Sequence, residues 1–158
     1  MRNRSITAVG LVLVLSLASL SFKCGGGGSN GNSDPVRTAS RAADAIAKSI
    51  GEMNNVKREL ARQGKISSAE ELKLTQQLLR LNTADKALVN RLKAMGGNAN
   101  AGDSQVTSLF NELTAALDDL NTTGVVNLGD ADARGRLGAL ITTIRSSVSI
   151  IQSFIGNG

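Results

Sequence analysis

Apolar residues recur at every third or fourth position through most of the chain after residue 34, which is the spacing of an amphipathic helix. The pattern predicts helices at residues 35–63, 67–95, 103–121 and 131–155. Short polar or glycine-containing segments separate these helices, and short connections favour antiparallel neighbours. The sequence therefore predicts an all-α fold, an antiparallel up-down-up-down four-helix bundle over residues 35–158.

Residue types that favour helix ends stand at the predicted boundaries. Pro35 suits a first helical position, and Gly64 suits the position just after a helix. Ser-x-x-Glu occurs twice, at 67/70 and 68/71, and this spacing is typical of a capping box at a helix start. Residues 125–129 have no helical period, and we expect either a loop over the end of the bundle or a short extended segment there.

The second predicted helix has a broad apolar stripe that polar residues interrupt. Its apolar positions are Leu74, Leu78, Leu81, Leu88, Leu92 and Met95, widened by Leu72, Leu79 and Val89. Asn82 and Asp85 fall within this stripe, and in a hairpin centred near residue 65 the facing helix brings Lys48 and Arg41 within reach. Asn82 and Asp85, with Lys48 opposite, are therefore candidates for a buried polar pair. The pair is either a small binding site inside the bundle or a contact that fixes the register of the helices.

The composition lacks the residue types on which most catalytic and metal sites depend. The 158 residues include no His, no Trp, no Tyr and a single Cys, Cys24. Without His there is no Ser-His-Asp triad, no His-ligated zinc or haem, and no imidazole acid or base. One Cys allows neither an internal disulfide nor a Cys-rich metal site. We therefore expect no enzyme activity, no catalytic residues, no metal and no cofactor, although an enzyme that uses only carboxylates and lysines stays open.

Charge is divided unevenly between the two halves of the predicted bundle. Residues 35–95 contain 12 basic and 6 acidic residues, a net charge of +6, whereas residues 96–158 contain 3 basic and 6 acidic residues, a net charge of −3. The simplest interpretation is that the two halves attract each other when packed. The alternative is a basic face that contacts anionic lipid or another anionic polymer. Without Trp, Tyr or a recognisable motif, we expect no specific binding of nucleic acid.

The N-terminal part of the chain is organised differently from the helices. Arg2 and Arg4 precede an apolar run from Ala8 to Leu20, which is shorter than the roughly 20 apolar residues of a transmembrane helix. Cys24 follows, and residues 25–33 consist entirely of Gly, Ser and Asn. Such a composition is typical of a flexible linker.

This arrangement resembles the signal peptide of bacterial lipoproteins. The resemblance implies a signal-peptide helix at residues 1–23, lipid attachment to Cys24, and a Gly-rich tether at residues 24–34. The protein would then be exported and anchored by lipid to a membrane, facing the periplasm or the cell surface. Ordinary secretion is the alternative, because Ser19 and Ser21 form a small-x-small cleavage pattern, and Lys23 stands where the lipoprotein class has a small residue.

These patterns favour a binding or scaffolding role at the cell envelope. The expected partners are the membrane, through the lipid, and another envelope protein or an anionic polymer. The alternative is a secreted, soluble helical protein that self-associates or acts on membranes. The fourth predicted helix suggests this alternative, because it carries nine large apolar residues between positions 137 and 155.

Overall fold

Helices account for almost all of the residues that the structure describes. The structure is a computed structural model that describes residues 35–95 and 103–156 of the chain. Its α-helices are α1 (Pro35–Arg62), α2 (Ser68–Met95), α3 (Ser104–Asp119) and α4 (Ala131–Gly156), and a short π-helix (Leu120–Val125) continues α3. The described residues contain no strand, which confirms the predicted all-α class.

The helix bounds lie within two residues of the predicted ones at every end. The predicted signal peptide at residues 1–23 and the tether at residues 24–34, which includes Cys24, lie outside the described residues.

The turn between α1 and α2 is fixed by hydrogen bonds from both helices. Gly64 has a positive φ of 67°, and the amide of Lys65 donates to the carbonyl oxygen of Leu60 at 3.0 Å, which is the Schellman arrangement of a helix end. Ser67 donates its amide and its hydroxyl to the Glu70 carboxylate, each at 2.7 Å, and the Glu70 amide donates to Ser67 Oγ at 3.2 Å. The first of the two predicted capping boxes is therefore the one that forms.

Aspartate side chains begin α3 and α4 in the same way. Asp103 Oδ1 accepts the amide of Gln105 at 2.8 Å, and Asp130 Oδ1 accepts the amide of Ala133 at 2.8 Å. Asp103 also forms an ion pair with Arg91 of α2. The start of α3 is therefore tied to the end of α2.

The hydrophobic core is built largely from the stripes that the helical spacing predicts. Its largest fully buried side chains are Ile46, Met53, Leu60, Leu74, Leu78, Leu81, Leu88, Leu92, Leu113, Leu117, Leu120 and Leu137. On α2, however, Leu72 and Leu79 are 60% and 64% exposed, so they do not widen the buried stripe as expected. Each stands two residues before a buried leucine, and two residues on an α-helix are about 200° apart. They therefore lie on the outer face of α2.

The helices contact one another in a ring. α1 packs against α2 and α4, α2 also packs against α3, and α3 contacts α4. Polar contacts accompany this packing: Arg136 Nη2 of α4 donates to Glu59 Oε2 of α1 at 2.7 Å, and Lys57 Nζ of α1 donates to Thr75 Oγ1 of α2 at 2.6 Å.

A π-helix stands where the third helix was expected to end. The amide of Val126 donates to the carbonyl oxygen of Asn121 at 3.0 Å, which is the five-residue spacing of a π turn. The side-chain amide of Asn127 then donates to the carbonyl oxygen of Thr122 at 2.9 Å, and the Gly129 amide donates to a carboxylate oxygen of α2 at 2.9 Å. Residues 125–129 are therefore the end of the π-helix and an anchored turn, and not an extended segment.

Candidate functional site

Asp85 is a fully buried carboxyl group on the inner face of α2. Its exposed fraction is 0%, and neither carboxylate oxygen has a hydrogen-bond partner among the described residues. Burial, with a smaller contribution from the charge of Asp44 on α1, raises the pKa of Asp85 to about 7. The apolar seam of α2 therefore holds a group that exchanges its proton close to neutral pH.

The structure does not bring Lys48 to Asp85. Lys48 is exposed and Asn82 is half-buried, and within the two described segments no hydrogen bond or ion pair joins either of them to Asp85. Lys48 stands two residues after the buried Ile46, and this places it about 200° around α1, on the solvent side. Approximate helix register, which the sequence supplies, does not fix the direction in which a side chain points.

Lys57 is a second buried charge, which the sequence shows as a gap in the apolar stripe of α1. It is 5% exposed, and its Nζ donates to Thr75 Oγ1, which in turn donates to the carbonyl oxygen of Glu71 at 2.7 Å. Thr75 precedes Asp85 by ten residues on α2, which is about 15 Å along the helix. The two buried charges therefore lie at different levels of the bundle.

The basic residues near the turn between α1 and α2 are only partly available to a ligand. Lys65 Nζ lies 2.5 Å from Asp132 Oδ2 of α4, and Lys57 is buried. Arg58 and Arg62 line an open cleft of about 720 Å³, whose wall also includes carboxylates of α1 and α2. An anionic polymer in this cleft would meet both signs of charge, so the cleft is not a purely basic surface.

Several acidic side chains act singly, in helix caps and ion pairs. Asp103 and Asp130 cap helices, and the hydrogen bond from Arg136 holds the pKa of Glu59 below its ordinary value. Within residues 35–95 and 103–156, no three His, Cys, Asp or Glu side chains are grouped as metal ligands are.

A groove between α2 and α3, called here the α2–α3 groove, is an open concavity in which apolar surface exceeds polar surface. It encloses about 790 Å³ and is lined by six residues of α2 between Gln76 and Ala87 and four residues of α3 between Ser108 and Ala115. The exposed Leu79 stands in its wall, together with Arg80 on the α2 side and Glu112 on the α3 side. Sequence reasoning missed this surface because it assigned Leu79 to the core.

The helix α4 is long and apolar enough to cross a membrane, judged by length and composition alone. In the bundle, Leu137, Ile141, Ile144 and Ile151 of α4 are buried, whereas its outer face is rich in Ser and Thr. The core helix of a soluble bundle meets the same criteria of length and composition. The packing of α4 therefore accounts for most of the apolar residues that suggested a membrane-active helix.

No family model, no curated protein and no solved structure matches this chain. The function is therefore argued from the residues and their geometry.

Proposed function

We propose that this protein is exported and anchored by a lipid on Cys24, and that its helical bundle acts at the cell envelope by binding or scaffolding. The observation that carries the proposal is the order of features in the sequence: two arginines, the apolar run Ala8–Leu20, Cys24, and the segment of Gly, Ser and Asn. A basic start, a short apolar core and a cysteine followed by a polar linker are the parts of a lipoprotein signal. Catalysis is not part of the proposal.

The antiparallel up-down-up-down arrangement belongs to the same proposal. Two contacts between α1 and α2 support it. Lys57, near the end of α1, donates a hydrogen bond to Thr75, near the start of α2. Asp44, in the first half of α1, lies 3.8 Å from Lys93, near the end of α2. The turns that join α1 to α2 and the π-helix to α4 are short, which also favours antiparallel neighbours.

A binding role is supported by the apolar side chains that the bundle leaves on its surface. Leu72 and Leu79 stand seven residues apart on the outer face of α2, and Leu79 lines the α2–α3 groove. Contiguous exposed apolar surface marks interaction sites in soluble proteins, and in this proposal the contact is placed at Leu79 and the groove beside it.

The anchor is tested by labelling the full chain with radioactive palmitate in a bacterial host. We expect label in the wild-type chain, none in Cys24→Ser, and accumulation of the unprocessed chain when globomycin is added. Lys23→Ala is the informative second variant, because it places a small residue before Cys24 and is expected to increase the labelled fraction. An unlabelled wild-type chain would refute lipid attachment, and label that appears only in Lys23→Ala would show that Lys23 prevents it.

Secretion without a lipid is the competing function, and Lys23 is the residue that favours it. Mass spectrometry of the mature N-terminus separates the two. A lipid-modified Cys24 supports the anchor, whereas a free N-terminus at Phe22 supports cleavage after Ser21 and release of a soluble protein.

A further inference from the structure

Leu79 belongs both to the outer face of α2 and to the wall of the α2–α3 groove. Leu72 and Leu79 lie on this face of α2, separated by two helical turns, and both are more than half exposed. The groove lining includes Ala84, Ala87 and Ala115, whose small side chains leave room between α2 and α3 for side chains from outside. Apolar side chains beside a recess of small residues are the two halves of a helix-packing contact.

The two walls of the groove carry opposite charges. The exposed charged residues of α2 are all basic, namely Lys73, Arg80, Lys86 and Lys93, although Lys93 lies beside Asp44 of α1. All the charged residues of α3 are acidic: Glu112, Asp118 and Asp119. Arg80 and Glu112 themselves line the groove. A surface with one basic and one acidic wall is complementary to a second copy of itself, provided that the copy is turned so that unlike walls meet.

We infer that the α2–α3 groove binds the same groove of a second copy of this chain, with α2 of each copy lying over α3 of the other. A two-fold axis parallel to the helices gives this arrangement, and it places the wall that carries Arg80 in each copy against the wall that carries Glu112 in the second copy. The other two-fold arrangement places α2 against α2 and so brings basic walls together, which is unfavourable. Self-complementary contact of this kind is the rule in symmetric dimers.

Charge reversal distinguishes this pairing from other uses of the surface. Among the residues that line the groove, Arg80→Glu leaves only acidic charges and Glu112→Arg leaves only basic charges, so we expect each variant to repel its own copies. A mixed pair restores both contacts, since the introduced glutamate of one variant then faces the introduced arginine of the other. Only contact between two copies predicts that two variants which each fail to self-associate will associate with each other.

The test uses the full chain, expressed in one bacterial host with two different affinity tags and extracted in mild detergent. We expect wild-type copies to co-purify, each single variant to lose at least about tenfold of that recovery, and the mixed variants to regain it. Arg41→Glu, an exposed charge reversal on α1, is the matched control and should leave recovery unchanged. Circular dichroism checks that the variants keep their helices, because Arg80 also lies 3.7 Å from Asp119 within its own chain.

Leu79→Asp provides a second measurement, which does not depend on charge pairing. It should abolish co-purification and leave the helix content unchanged, since Leu79 is exposed in the bundle. Wild-type copies that do not co-purify, or mixed charge variants that recover no association, would overturn the inference. The pairing does not depend on Cys24, so Cys24→Ser tests it without the lipid, and failure of one proposal leaves the other standing.

Discussion

Gly124 of the π-helix packs directly against the side-chain amide of Gln77 on α2. A Cβ atom at Gly124 would fall well inside van der Waals contact with Gln77 Oε1 and would lie 3.3 Å from Leu74 Cδ2. Gln77 Nε2 meanwhile donates to the carbonyl oxygen of Asp119 at 3.3 Å and to the hydroxyl of Thr123. The absence of a side chain at Gly124 therefore allows α2 to hold the junction between α3 and the π-helix.

We expect Gly124→Ala to lower the free energy of unfolding by about 1–3 kcal/mol, because the new methyl group displaces the Gln77 amide from its two acceptors. Chemical denaturation in urea measures this cost. In a Gln77→Ala background the amide group nearest to the new methyl group is absent. Gly124→Ala should therefore lower the free energy of unfolding by at least about 0.5 kcal/mol less than in the wild-type chain. Equal costs in the two backgrounds would show that the contact between Gly124 and Gln77 carries no energy.

Gly64 and Gly51 form a matched pair that separates backbone conformation from packing. An added Cβ atom would meet nothing within 4 Å at either position, but Gly64 has a φ of 67° whereas Gly51 lies inside α1. We expect Gly64→Ala to destabilise the bundle by about 1 kcal/mol, since a Cβ atom disfavours the left-handed region. Gly51→Ala should instead stabilise it by about 0.5–1 kcal/mol through helix propensity. Melting curves that shift in the same direction for both variants would contradict this account.

Asp85 makes the stability of the bundle depend on pH near neutrality. Its pKa is about 7 in the folded chain and close to 3.8 when exposed, so the folded state binds the proton more tightly. The free energy of unfolding is therefore highest at acidic pH and falls as pH rises through 7, by about 2–3 kcal/mol between pH 5 and pH 8. The chain has no His, so no imidazole titrates in this range.

Two substitutions test this assignment. Asp85→Leu should remove the pH dependence between pH 5 and pH 8 and raise stability at pH 8 by about 1–4 kcal/mol, because an apolar side chain replaces an unpaired buried charge. Asp44→Asn should lower the pKa of Asp85, since it removes the like charge beside it, and should therefore shift the loss of stability to lower pH. A wild-type stability that stays flat from pH 5 to pH 8, or an Asp85→Leu variant that keeps the slope, would contradict the assignment.

The sequence predicted the helices well because their signals are local. Apolar spacing and caps such as Ser67 with Glu70 depend on residues three or four positions apart, and these contacts form as expected. The contact between Gln77 and Gly124 joins residues far apart in the chain, so no local pattern could reveal the π-helix. The groove was missed for a related reason, because the outward direction of Leu79 depends on which face of α2 its neighbours cover.

We expect the buried Lys57 to add little to the free energy of unfolding. Its partner Thr75, in contrast, is needed because it accepts the hydrogen bond of the buried ammonium group. Thr75 Oγ1 accepts the hydrogen bond of a lysine that is 5% exposed, so Thr75→Val leaves a mostly buried ammonium group without that acceptor. We expect Thr75→Val to lower the free energy of unfolding by about 0.5–1.5 kcal/mol.

Lys57→Met places an apolar side chain in the seam and should leave the free energy of unfolding unchanged or raise it. In the Lys57→Met background, Thr75→Val should then cost close to nothing, as urea denaturation of the four chains would show. Arg58→Met is the matched control, because the neighbouring exposed arginine forms no hydrogen bond to Thr75 within the described residues and should leave the cost of Thr75→Val unchanged. If Thr75→Val costs the same in the wild-type and Lys57→Met backgrounds, the hydrogen bond between the two side chains does not hold α1 to α2.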